Sequence, residues 1–330
     1  MKYAKLILIT ILLLCCFIIS KAQNRLKSIV IEEVLTIEGI GENLRYQRSS
    51  MATDNEGNIY ITDLEDYSIK KFNNVGELIK VAGKKGDEPG EFQGPNIIRY
   101  YRGKLYVSEV YRPGIQVFDE ELNFKFKIPI RFTVTDFNIV SEDRIAVSTL
   151  RQEKSEADYI FCIYIYDREG NEKEEDKIIY STEKKFSMMN TVSFDVYRKN
   201  YFLIAYDWID RIERFYKSGR LVWIRDLLGK KKARTRREKH SKRLFGVYPI
   251  EAVYKSIALD RHGNVYILGG DLSENISRDV YVMSINGHHL TTLTLPEASR
   301  TIHFDRENFL YSRSEDGKTI KKYSLEYIYE

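Results

Sequence analysis

A chain of 330 residues with 43% hydrophobic and 30% charged residues has ample material for a core, which excludes a disordered polypeptide. Its 24 Tyr and 16 Phe lean toward strands, and the length fits two ordinary domains or one large all-β domain. The formal net charge is +4, of which Lys2, Lys5 and Lys21 supply three, so overall charge names no partner.

Residues 1–22 start with Lys2 and Lys5, run apolar from Leu6 to Ile19, and end in Ser20-Lys21-Ala22. That order predicts a secretory signal peptide cleaved after Ala22, leaving a periplasmic or secreted protein. The alternative is an uncleaved anchor, but the apolar run is shorter than the roughly 20 residues a spanning helix needs. After cleavage Cys162 is the last cysteine, which excludes an internal disulfide or a cysteine-built zinc site. Within Tyr159-Ile-Phe-Cys-Ile-Tyr-Ile-Tyr166 it reads as a buried apolar filler.

One phrase then recurs along the chain. Asp54-Asn-Glu-Gly-Asn-Ile-Tyr60 returns as Asp260-Arg-His-Gly-Asn-Val-Tyr266, and more loosely as Asp305-Arg-Glu-Asn-Phe-Leu-Tyr311. Each predicts two short strands joined by a turn in which Gly, or Asn308 in the third copy, takes a positive φ. Twelve residues after Tyr60, Tyr106, Leu203 and Tyr311 stand Phe72, Phe118, Phe215 and Tyr323. With Arg144-Ile-Ala-Val147 as a further copy, the anchors are Tyr60, Tyr106, Ala146, Leu203, Tyr266 and Tyr311, which makes six units.

Units of roughly 40–50 residues with several short strands predict propeller blades of four antiparallel strands. The expected fold is an all-β, six-bladed β-propeller occupying residues 23–330 as a single domain. The sixth copy ends near Tyr323-Ser-Leu325 with little chain left for an outer strand, and Ile29-Val-Ile-Glu-Glu-Val-Leu-Thr-Ile37 is the candidate N-terminal strand that closes the ring.

Between the first two copies lie Gly83-Lys-Lys-Gly-Asp-Glu-Pro-Gly-Glu-Phe-Gln-Gly-Pro95, Lys104-Leu-Tyr-Val-Ser108 and Pro113-Gly-Ile-Gln-Val-Phe-Asp119. This stretch resembles an NHL repeat. The match is good over residues 49–124, fair at 256–266 and 301–323, and poor between. The resemblance implies the architecture of an exported bacterial propeller, and in this family such a scaffold serves mostly as a binding platform. Related six-bladed propellers include calcium-dependent lactonases and an amidating lyase, which place a metal in the central channel.

That comparison makes the channel the place to look for chemistry. The position after the repeat's proline corresponds to Ser49, Asn96, Thr135, Val192, Lys255 and Arg300, and the next to Ser50, Ile97, Asp136, Ser193, Ser256 and Thr301. Neither set has the several carboxylate oxygens that calcium needs. Of the five His, only His303 falls on an expected inner strand, where a lone His is commonly structural. There is no Gly-x-Ser-x-Gly elbow, phosphate loop or dinucleotide fingerprint. The leading expectation is therefore a non-enzymatic extracytoplasmic binding propeller with no cofactor. The alternative is a metal-assisted lyase or lactonase that uses calcium or zinc with Asn96, Asp136 and His303.

The loops that follow second strands and join blades gather on one face and are the expected ligand surface for a protein, peptide or glycan of the cell envelope. They offer Asp63, Glu65, Asp66, Glu109, Tyr111, Arg112, Asp207, Trp208 and Asp210. Trp208 is the least ordinary of these, either an exposed anchor or a cap on the core. A basic insertion at 229–245 separates blades four and five. Residues 230–243 hold nine Lys or Arg against Glu238, among them Lys230, Lys231, Lys232, Arg234, Arg236 and Arg237. Such density attracts an anionic membrane surface, a polyanionic glycan or an acidic protein, with a solvated loop as the plain alternative. Export argues against nucleic acid as a partner, and a monomer is the expected state.

Overall fold

The recurring Asp-x-x-Gly-Asn-x-Tyr phrase folds into a turn that satisfies its own polar groups. Asp54 Oδ1 accepts the N–H groups of Glu56 and Asn58, both at 2.9 Å, while Oδ2 accepts the Asn58 amide at 2.8 Å and the Tyr60 hydroxyl at 2.9 Å. Asp305 repeats this with Phe309 N–H and Tyr311 hydroxyl, each at 2.9 Å, and there Asn308 takes the positive φ of 75° that Gly57 takes at 81°. A carboxylate with four lone-pair sites is thus almost fully used inside seven residues.

In the computed structural model, residues 26–40, 50–149, 153–154, 159–172, 177–180, 187–239 and 245–329 are described. The expected signal peptide lies outside them. Each repeat forms an antiparallel sheet whose first strand is innermost, four-stranded except in blade three, where the short strand Glu153–Lys154 adds a fifth. Those inner strands are Met51–Thr53, Pro95–Tyr101, Val134–Ser141, Val192–Tyr197, Tyr254–Leu259 and Ser299–Phe304. The chain is a six-bladed β-propeller.

The twelve-residue offset is a register. Ile59, Leu105, Phe202 and Leu310, each one residue before an anchor, lie directly opposite Phe72, Phe118, Phe215 and Tyr323. In blades three and five longer loops displace the partner, and Ile145 and Val265 face Tyr166 and Met283 instead. Second strands such as Ile59–Asp63 and Val265–Gly269 are buried at every residue, because neighbouring blades cover both faces. The apolar core consequently lies between blades; one cluster joins Ile163 and Ile165 of blade three to Phe194, Phe202 and Ile204 of blade four. Cys162 is buried in the next cluster.

Ring closure follows the expected route. Leu26–Ile37 pairs antiparallel with Ile320–Tyr329, completing blade six as its outer strand. The basic insertion is ordered where it is described: Thr235–Lys239 and Phe245–Pro249 form a two-stranded antiparallel hairpin.

Candidate functional site

The six residues that pair with the anchors stand at one level of the channel. They are Ala52, Arg99, Asn138, Asp195, Ala258 and His303. All but two are strongly polar, and the two alanines lie across the ring from the two charges, Ala52 opposite Asp195 and Ala258 opposite Arg99. The small residues leave room, and the six line one cavity of about 370 Å³. This ring is the candidate site, and its Arg99, Asn138 and Asp195 escaped the sequence reading.

One side-chain period above it lie Ser50, Ile97, Asp136, Ser193, Ser256 and Thr301. Their task is to join blades. The hydroxyl of Ser50 accepts Ile98 N–H at 2.6 Å, that of Ser256 accepts Ile302 N–H at 3.3 Å, and Asp136 Oδ2 accepts Phe194 N–H at 3.0 Å. The three acceptors cap the exposed inner edge of the next blade in the same way. Asp136 Oδ1 is also engaged, by Arg99 at 2.9 Å and by Phe137 N–H at 2.8 Å. Asp136 is therefore a clasp between blades two, three and four.

In the ring itself, polar atoms remain available to the lumen. Asn138 donates its amide to the Phe194 carbonyl at 2.6 Å, and no hydrogen bond to its Oδ1 is found among the described residues. Asp195 accepts Val196 N–H at 2.7 Å, with Leu259 N–H also bonding the carboxylate, which leaves lone pairs unused. Burial lifts Asp195 to about 6, a rise that Asp136 assists and Arg99 opposes. His303 Nε2 meets Thr53 Oγ1 at 2.9 Å, tying blade six to blade one; Nδ1 is a donor where Nε2 accepts from Thr53 and an acceptor where Nε2 donates.

Burial, with Arg99 nearby, lowers His303 to about 3, so it is neutral at ordinary pH. The folded chain binds this proton less tightly than the unfolded chain does, and stability is lost as pH falls from about 6.5 toward 3. His303→Gln, which can keep the Thr53 bond, is expected to leave the urea midpoint unchanged at pH 8. At pH 4.5 it should stabilise the fold by about 2 kcal/mol.

Asn96, Asp136 and His303 do not form a metal-ligand set. Asn96 is outside the cavity lining and buried, with its backbone carbonyl accepting Thr62 Oγ1 and its Oδ1 unpartnered. Asp136 is occupied as described. Among the described residues no group of three or more His, Cys, Asp or Glu side chains could hold a metal ion.

Of the carboxylates expected on the loop face, Glu65 and Asp66 are exposed, whereas Asp63, Glu109, Asp207 and Asp210 are buried. Asp63 is 3% exposed and bonds Lys70 at 2.5 Å and Glu65 N–H at 2.9 Å. Glu109 is wholly buried, accepting Arg112 Nε at 3.0 Å, Gln116 at 3.1 Å and Gln93 N–H at 2.7 Å. Arg112 also donates to the carbonyls of Asp87 and Glu91, so the pair clasps the loop leading to Pro95. Asp207 is buried, and its carbonyl accepts Val253 N–H at 2.7 Å. Trp208 packs against the core cluster of blades three and four and donates Nε1 to Thr191 Oγ1, which makes it a cap.

Asp210, also buried, accepts the N–H groups of Leu227, Leu228 and Lys230 at 2.7–2.8 Å and the Tyr254 hydroxyl. That carboxylate fixes the start of the basic insertion. Lys230, Lys231, Lys232, Arg234 and Arg236 beyond it are all exposed, and Arg237 follows on the hairpin strand.

No family model and no curated protein matches the chain. Solved structures do. A member of the DUF4221 family from Bacteroides vulgatus is similar at 12% identity and a TM-score of 0.60, over 93% of this chain and 100% of that one. A gluconolactonase from Xanthomonas campestris is similar at 14% identity and 0.56, over 92% of each chain. A chain of the mitotic checkpoint complex is similar at 10% identity and 0.55, over 91% of this chain and 96% of that one. At such identities the likenesses show the propeller fold alone.

Proposed function

We propose that the chain is an exported binding propeller that holds a hydroxyl-rich group, such as the terminal residue of a glycan, in its central channel. The observation that carries this reading is the ring at the anchor level. Its Asn138 Oδ1 and Asp195 carboxylate offer unused acceptor capacity to one cavity, with His303 Nδ1, a donor or an acceptor according to tautomer, and a guanidinium with N–H groups to spare. A sugar hydroxyl both donates and accepts, so it suits a mixed ring of this kind. On the loop face, by contrast, the carboxylates of Asp63, Glu109 and Asp210 are already committed to the fold, and Asp207 is buried.

The test is calorimetric titration of the mature chain with a panel of monosaccharides, amino sugars and alditols. At least one is expected to bind, and Asn138→Ala and Asp195→Asn should each weaken it about tenfold, as for one lost hydrogen bond to a polar ligand. Binding that both variants leave unchanged would place the ligand elsewhere.

A second reading, cleavage of a lactone or of a bond in a related small substrate, is favoured by one observation. Burial lifts Asp195 to about 6, which suits a carboxyl for proton transfer near neutral pH, and it lines the same cavity as His303. Turnover of aldonolactones that disappears in Asp195→Asn, while that variant still binds them, would select this reading over simple binding.

A further inference from the structure

The face bearing the blade-joining loops carries a separate feature at blades four and five. Lys230, Lys231, Lys232, Arg234 and Arg236 are exposed within seven residues. They are held in place rather than left on a free loop. Asp210 accepts three N–H groups from residues 227–230, Ala233 N–H bonds the Trp208 carbonyl at 2.9 Å, and Lys231 Nζ reaches the Leu272 carbonyl at 3.2 Å. Arg234 is answered by Glu251 at 2.8 Å, and Asp271 by Ala252 N–H at 2.7 Å and Lys255 at 3.7 Å. Among the described residues Asp226 and Glu274 are the exposed carboxylates nearby, against five exposed cations.

Two large apolar side chains stand out of the same surface. Ile250, whose N–H bonds the Arg234 carbonyl, is 49% exposed, and Ile276, on the blade-five loop that Lys231 touches, is 59% exposed. A polyanionic glycan would neutralise the cations and leave both isoleucines in water, and an acidic protein would have to present an apolar patch at each of them. A bilayer takes both, with its headgroups meeting the cations and its acyl boundary meeting the isoleucines.

We propose that this face docks on a membrane surface rich in anionic phospholipid. The channel also opens at the opposite end, where Asn55 and Arg306 of the strand-joining turns line it, so the ring stays accessible from water in the docked state. The proposal is independent of what the channel binds.

Co-sedimentation of the mature chain with vesicles tests it, using 30% phosphatidylglycerol in phosphatidylcholine against phosphatidylcholine alone. Strong binding to the anionic vesicles alone is expected, falling as salt is raised. Replacing Lys230, Lys231, Arg234 and Arg236 together by Gln should weaken it on the order of a hundredfold or more. The separate pair Ile250→Ser and Ile276→Ser should weaken it about tenfold and leave heparin binding unchanged. All six side chains are exposed, so the fold should survive, which an unchanged melting temperature checks. Absence of binding to the anionic vesicles, or binding indifferent to the four Gln replacements, would overturn the proposal. So would vesicle binding untouched by the isoleucine pair, which would leave a general polyanion site.

Discussion

Asp210→Ala is expected to destabilise the fold by about 3–5 kcal/mol, the range for removing one partner from a buried charge-assisted network. The carboxylate is 4% exposed and accepts three backbone N–H groups and the Tyr254 hydroxyl, all of which would lose their acceptor at once. One of those N–H groups belongs to Lys230, whose φ of 63° is unfavourable for a residue with a Cβ and is held by this bond. The loss should therefore be seen twice: as a lower urea midpoint, and as faster hydrogen exchange at Leu227, Leu228 and Lys230. Asp210→Asn should lie between, since an amide retains one acceptor oxygen but brings its own N–H groups toward other donors. A midpoint unchanged in the alanine variant would show that the insertion is not anchored there.

Asp195→Asn is expected to act in the opposite direction and only above a certain pH. Burial raises this carboxyl to about 6 against an ordinary 3.8, so the folded chain holds the proton more tightly than the unfolded chain. The stability this contributes is complete below about pH 3.8 and is lost as pH rises through about 6. Above that, the ionised carboxylate costs the fold on the order of 2–3 kcal/mol. The amide removes that cost, so the variant should melt about 4–6 °C higher at pH 8 and match the original chain at pH 4. A group retained at such a cost fits a site selected for ligand rather than for stability. A variant no more stable at pH 8 would contradict the burial argument.

The repeat phrase carried most of the architecture, because its Asp, Gly and Tyr are needed together to build one turn, and the twelve-residue offset is the strand register itself. The ring was as readable as the blades. Each member stands eight residues before its anchor, and seven in blade two, where Arg102-Gly103 makes a shorter turn. Counting inward from the proline instead landed on Asn96 and Asp136, because the connecting loops vary widely in length while the first hairpin varies by a single residue. Burial of these carboxylates was not readable: Asp63 and Glu109 end their strands and Asp207 follows one, so they look solvated, and only tertiary packing encloses them. The charged run 230–243 shows no strand periodicity either. Its Thr235–Lys239 strand exists through pairing with Phe245–Pro249.

The central claim, that ligand is held at the anchor-level ring, is tested most directly by the imidazole nitrogen resonances of the mature chain during titration with the sugar that binds. His303 lines the cavity, whereas His262, His288 and His289 are exposed on turns and an outer strand. The expected result is a saturable shift of the His303 Nδ1 signal with those of His262, His288 and His289 unmoved. A shift at the exposed histidines while His303 stays fixed would contradict the account.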